Sequence, residues 1–172
     1  RLRVVSDAGM NIRVNVDTGA TFTDAVLNLN GATPTVVAAA YTNNFDGATA
    51  TQLFDLVATD ATLYVQAPPN DGTLGAASAL PLGVAIGAAA DFDVDVASNT
   101  GFAVLTVGGA TQLYSINLGA TTNAATAVGA IGTSESIVGL TLNHRAPAAT
   151  VTALTTDNRL LRFDPRTPNR ID

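Results

Sequence analysis

The chain of 172 residues has no cysteine. That excludes disulfides, thiolate metal sites and a cysteine nucleophile, and it leaves the redox compartment unassigned. Lysine and tryptophan are absent as well: all eight basic residues are arginine, and aromatics reach only 5 %. Histidine and glutamate occur once each, as His144 and Glu135, so general acid–base catalysis has few groups to draw on. Hydrophobic residues make up 47 %, yet no apolar run approaches the roughly 18 residues of a membrane helix, and membrane insertion is not expected. Helical periodicity is nearly missing too.

Charge is unevenly placed. Arg1, Arg3 and Arg13 lie at one end and Arg145, Arg159, Arg162, Arg166 and Arg170 at the other, while the stretch between Val14 and His144 carries ten acids and no arginine. Such a pattern is met by a solvated surface, or by basic ends facing an acidic surface on another copy. A net charge of −6 argues against nucleic acid as a partner.

What the chain does contain is alternation, as in Ile12–Arg13–Val14–Asn15–Val16 and Phe92–Asp93–Val94–Asp95–Val96, broken by turn formers such as Asp7–Ala8–Gly9 and Gly108–Gly109. A segment of strand, short turn, strand and polar residue recurs four times. It starts at Val4, Leu56, Leu105 and Leu154 and closes on Asp17, Gln66, Asn117 and Asp164, which fall 49, 51 and 47 residues apart. A period of this size in a strand-rich chain predicts a modular sheet array, with a propeller blade as the first candidate. The predicted fold is therefore all-β: a β-propeller or propeller-like array of about four blades or blade parts. It is one domain or fragment over 1–172, with units near 1–30, 31–82, 83–134 and 135–172.

Predicted strands are Leu2–Ser6, Ile12–Val16 and Thr21–Val26 in the first unit, and Val36–Thr42, Gln52–Ala58, Thr62–Ala67 and Leu74–Leu80 in the second. The third has Gly83–Val96, interrupted at its alanine-rich centre, then Phe102–Val107, Gln112–Asn117 and Ala125–Ile131; the fourth has Ile137–Asn143, Thr150–Thr155 and Leu160–Asp164. The first unit lacks the strand that should precede its hairpin, and the last lacks the one that should follow. Each would leave an open sheet edge, to be completed by another segment or another chain.

The phrases RLRVVSDAGMNIRVNVDTGAT (residues 1–21), VVAAAYTNN (36–44), PPNDGTL (68–74) and ALTTDNRLLRFDPRTP (153–168) closely resemble the bacterial domain-of-unknown-function family 4394. The resemblance implies a propeller-like domain of secreted or envelope-associated bacterial proteins. The family has no established activity, so the resemblance implies no catalytic residues. Here its phrases stand in permuted order, which fits a window cut from tandem copies or a permuted domain.

Few residues suggest chemistry. His144 lies beside Arg145 and Pro147 without a nucleophile elbow, and Ser134–Glu135–Ser136 reads as a polar turn. Asp91, Asp93 and Asp95 are the candidate metal residues, with calcium as the only cofactor to consider. Calcium needs about six to eight oxygens from a curved loop, whereas these acids alternate with Phe92, Val94 and Val96 and so should share one solvated strand face. Asn44–Phe45–Asp46–Gly47 and Asn70–Asp71–Gly72 are turn formers first. Asp17, Asn117 and Asp164 are expected to accept hydrogen bonds from the following turn, and Tyr64 and Tyr114 to pack between blades. The leading expectation is a non-catalytic extracellular or envelope module that assembles head to tail with other copies of itself or a neighbouring blade segment. The alternative is a ligand- or glycan-binding propeller using its loop face. Sparse aromatics count against that alternative, and a pocket rimmed by Tyr41, Tyr64 or Tyr114 would favour it. An enzyme ranks third.

Overall fold

A computed structural model of the chain describes residues 2–87, 90–133, 137–143 and 150–171. Among them the fold is all-β, with fourteen strands, one short 3-10 turn at Pro69–Asp71 and no α-helix. Sheet 1 contains β1 (Leu2–Val5), β2 (Asn11–Val14) and β3 (Thr21–Thr23). Sheet 2 contains β4 (Val36–Tyr41), β5 (Leu53–Val57), β6 (Thr62–Gln66) and β7 (Leu74–Pro81). Sheet 3 contains β8 (Ala90–Val94), β9 (Gly101–Val107), β10 (Ala110–Ile116) and β11 (Ala125–Ala130). Sheet 4 contains β12 (Ile137–Asn143), β13 (Thr150–Thr155) and β14 (Leu160–Phe163). Each is an antiparallel meander in chain order, as short alternating strands joined by tight turns require.

Strand bounds follow the sequence pattern within a residue or two, with two corrections. Among the described residues of the predicted Gly83–Val96 strand, only Ala90–Val94 lie in a sheet; Gly83 takes a left-handed φ of 81° and turns the chain. The third strand stops at Thr23, where Asp24 turns inward to bind arginines and Val26 stays exposed.

The repeat places strands by role. In register, β1–β2, β5–β6, β9–β10 and β13–β14 are equivalent hairpins. Among the described residues, sheets 2 and 3 hold a strand before and a strand after the hairpin, sheet 1 only the strand after, and sheet 4 the strand before, with a single antiparallel bridge from Ile171 to Phe163 on its outer edge. The sheets lie in series, with β1 against β4, β4 against β8, and β8 against β12. They remain open sheets.

Three apolar clusters sit at the successive junctions. Between sheets 2 and 3, Phe54, Leu56 and Leu63 meet Phe92, Leu105, Tyr114 and Ile116. Val104 and Leu113 meet Val151, Leu161 and Phe163 between sheets 3 and 4. At the junction of sheets 1 and 2, Val5 packs beside Leu27, Val36, Val57, Tyr64 and Leu74. Each fully buried Leu or Phe contributes roughly 2–3 kcal/mol, so these junctions hold the array together. Tyr64 and Tyr114 do pack at junctions, and the Tyr64 hydroxyl donates to Asp60 at 2.6 Å, satisfying its polar tip.

Candidate functional site

The junction of sheets 1 and 2 differs chemically from the other two. The residues cross-strand from Tyr114 and Leu161 are Ala103 and Ala153; the residue cross-strand from Tyr64 is Asp55. Two positions further along, Ile116 and Phe163 are matched by Gln66. The opposing wall changes in step. Sheets 2 and 3 present Phe54 with Leu63, and Phe102 with Leu113, where sheet 1 presents Arg3 with Asn11. Polar groups thus replace apolar ones on both sides of one junction.

Arg3 is the hub. Its Nη1 donates to Asn11 Oδ1 at 2.5 Å, Asp24 Oδ2 at 2.8 Å and the Pro69 carbonyl at 3.3 Å, while Nη2 donates to Asn70 Oδ1 at 2.9 Å. Arg13 binds both Asp24 oxygens, at 2.7 and 2.8 Å, and stacks over the Phe22 ring. Hydrogen bonds from Arg13 hold the Asp24 carboxyl below its usual pKa; burial opposes this and Arg3 adds to it. Asn11 Nδ2 donates to the carbonyls of Ala25 and Pro69, and Gln66 Nε2 donates to the Pro69 carbonyl at 2.5 Å. Asp55 is fully buried with neither oxygen hydrogen-bonded among the described residues; Gln66 Oε1 and Arg3 Nε share that condition. Burial lifts the Asp55 carboxyl to about 7, against the pull of the Arg3 charge.

The 69–72 turn is held from the other side by the linker after β3. Ala25 N–H donates to the Asn70 carbonyl and Asn28 N–H to the Gly72 carbonyl. Gly72 sits at φ 65°, and a Cβ there would lie 2.4 Å from the Val26 carbonyl oxygen, so only glycine fits.

Above this network the strand ends open into two clefts. One, of about 420 Å³, lies between sheets 1 and 2 and is lined by Arg3, Arg13, Tyr41, the 43–48 turn, Thr51 and Asn70. The second, of about 550 Å³, lies between sheets 2 and 3 and is lined by Asn43, Gln52, Asn99, Ser115 and Asn117, with Phe54 and Ile116 also lining it. Asn43 borders both. Tyr41 rims the first cleft, as the ligand-binding alternative required; Tyr64 and Tyr114 are buried and rim neither.

The acidic strand behaves differently from its expectation. Asp91 and Asp93 share a face, but that face is partly buried and turned to the neighbouring strand β12. Asp91 Oδ1 accepts the N–H of Phe92 and Asp93 Oδ1 that of Val94, both at 2.8 Å. Their other oxygens accept the N–H groups of Leu140, at 2.6 Å, and Leu142, at 2.9 Å, on β12. Burial lifts Asp91 above the usual carboxylate value despite these bonds. Asp95 turns away and holds Ser98 through its N–H and hydroxyl. The four inner oxygens are occupied by peptide donors, and among the described residues no three acidic, histidine or cysteine side chains gather as a metal set.

Of the recurring polar residues, Asn117 accepts the Gly119 N–H at 3.0 Å and Asp164 accepts the Arg166 N–H at 2.8 Å, as expected of turn acceptors. In the first unit Asn15, not Asp17, plays that part, accepting from Asp17 and Thr18. Gly108–Gly109 forms the β9–β10 turn, with both glycines at positive φ. His144 and Ser134–Glu135–Ser136 lie outside the described residues. The Arg3–Asp24–Asp55 cluster was not foreseen; its one sequence signal is an acid inside the apolar run Leu53–Val57.

No curated protein matches the chain. A family model described as a domain of unknown function, DUF4394, matches residues 1–141, well over half the length, with all of sheets 1, 2 and 3 inside the match. The chain belongs to the DUF4394 family.

Proposed function

We propose that this chain is a non-catalytic interaction module, a section of a β-propeller that works by having its open sheet edges completed. The observation that carries this is the complementary strand count among the described residues: sheet 1 shows no strand before its hairpin, and after its hairpin sheet 4 shows only the single antiparallel bridge of Phe163 to Ile171. Both edges are dressed in apolar side chains. On β1, Leu2 is 51 % and Val4 40 % exposed, and on β14 Leu160 is 72 % exposed. An unpaired strand edge with exposed apolar residues is a template for strand addition. The serial contact of β4, β8 and β12, each the strand before its hairpin, is the order that first strands take around a propeller axis. The partner on this reading is a second copy of the chain or a neighbouring blade segment of the same domain, in the bacterial envelope or outside the cell. The Arg3–Asp24–Arg13 cluster supports a scaffold role, because both arginines are held by ion pairs within the chain.

The test is solution mass over a concentration series, with amide hydrogen exchange read at Leu2–Val5 and Leu160–Phe163. Association that grows with concentration and slows exchange in those strands is expected. A strict monomer whose edge amides are already protected overturns the reading.

A further inference from the structure

We infer that the two clefts form one groove that binds an extended neutral oligosaccharide. This goes beyond edge completion and uses different residues, so the two can fail separately.

The clefts stand at the same ends of consecutive junctions, and Asn43 is their common wall. Their separation is a single pair of side chains. Asn99 Nδ2 donates to Asn43 Oδ1 at 3.1 Å, and Asn43 N–H donates to Asn99 Oδ1 at 3.3 Å. Both residues take left-handed φ values, 49° and 52°, which asparagine tolerates better than other side chains. The result is a low amide ridge with polar hollows on either side, which suits a chain of repeating units better than one compact molecule.

The lining selects the ligand chemistry. The second cleft is walled by amides and hydroxyls, including Gln52, Ser98, Ser115 and Asn117, and contains no charged side chain. In the first, the two guanidinium groups share the carboxylate of Asp24, which leaves one positive charge between them. The carboxylate of Asp46 in the same wall offsets that charge, so the cleft has no net attraction for an anion. Planar amides, hydroxyls and one carboxylate offer mixed donors and acceptors, the complement of a polyhydroxyl surface. Apolar contact is supplied where a sugar's C–H face needs it. Phe45, 54 % exposed, offers an aromatic face at the first cleft beside Tyr41, whereas Phe54 and Ile116 are buried beneath the second, which meets a ligand through its polar groups. Each hollow falls within the volume range of small-molecule sites, roughly 300–1,000 Å³.

The probes are cellohexaose, maltohexaose, xylohexaose and, as the anionic comparison, hexagalacturonate, titrated into the whole chain by calorimetry and amide NMR. Phe45→Ala tests the first cleft and Gln52→Ala the second. Both side chains are exposed, so the fold should persist, and circular dichroism checks that it does. At least one neutral hexasaccharide should bind, its trisaccharide more weakly, and each substitution should weaken binding about tenfold or more. Failure of every neutral probe at millimolar concentration overturns the proposal. So does tighter binding of hexagalacturonate, or an effect of only one of the two substitutions.

Discussion

Arg3 Nη1 stands 2.8 Å from Asp24 Oδ2 with both side chains only 6 % exposed, and Asp24 answers a second guanidinium, Arg13, from the same oxygen. One carboxylate therefore bridges two arginines on adjacent strands and offsets their mutual repulsion, which direct cross-strand pairing would otherwise leave unrelieved. Asp24→Ala should cost about 3–5 kcal/mol, because it leaves Arg3 buried without its counter-charge. Asp24→Asn should recover part of that through its remaining acceptor. Urea unfolding of the three proteins checks the order. Asp24 is held below its ordinary pKa, so its contribution is present above the unfolded value of 3.8 and is lost as pH falls through the lower folded value.

Asp55 carries the opposite sign. Its folded pKa, about 7, exceeds the unfolded 3.8, so the unfolded chain releases this proton first as pH rises. Stability is full below about pH 3.8, falls between there and about pH 7, and then levels. Asp55→Asn should leave stability nearly unchanged at pH 4 and raise it at pH 8 by an amount on the order of a few kcal/mol. Melting curves of both proteins from pH 4 to 8 check this; a constant offset would contradict it.

Asp91→Leu should destabilise the contact of sheets 3 and 4 by about 1–3 kcal/mol, since the N–H of Leu140 loses its acceptor in a partly buried site. Asp91→Asn keeps an acceptor and should cost less. Amide exchange at Leu140, faster in the Leu variant and near the parent in the Asn variant, is the measurement.

Gly72→Ala meets the Val26 and Ala25 carbonyl oxygens at 2.4 and 2.5 Å and forces an L side chain into φ 65°. It should cost more than about 2 kcal/mol, with loss of exchange protection at Asn28, whose N–H donates to Gly72. Gly19→Ala, where no atom lies within 4 Å of a Cβ, should cost only the backbone strain. Thermal melts of the pair separate crowding from conformation.

Strand positions were legible because each hairpin carries its own pattern: Leu105–Val107 and Ala110–Gln112 alternate around two glycines and need no distant partner. The three-stranded character of sheets 1 and 4 was legible from the repeat alone. The acceptors on β12 were not, since Asp91 and Asp93 bind backbone N–H groups 49 residues away, which no side-chain pattern announces. Nor were the clefts, whose walls come from turns in three sheets meeting at Asn43. Asp55 gave a signal in an otherwise apolar strand, but its arginine neighbour lies on another sheet.

The carboxylates of β8 also act as a key. They are two residues apart and grip N–H groups two residues apart, so a one-residue slip of β12 would offer them the wrong side of the strand. None of β1, β4 or β12 carries an acid, so this lock exists at one junction alone. An array of look-alike sheets risks pairing the wrong neighbours as it folds. Here the identity of one neighbour is written in two aspartates, which set the place and register of β12 by chemistry as well as by chain connection.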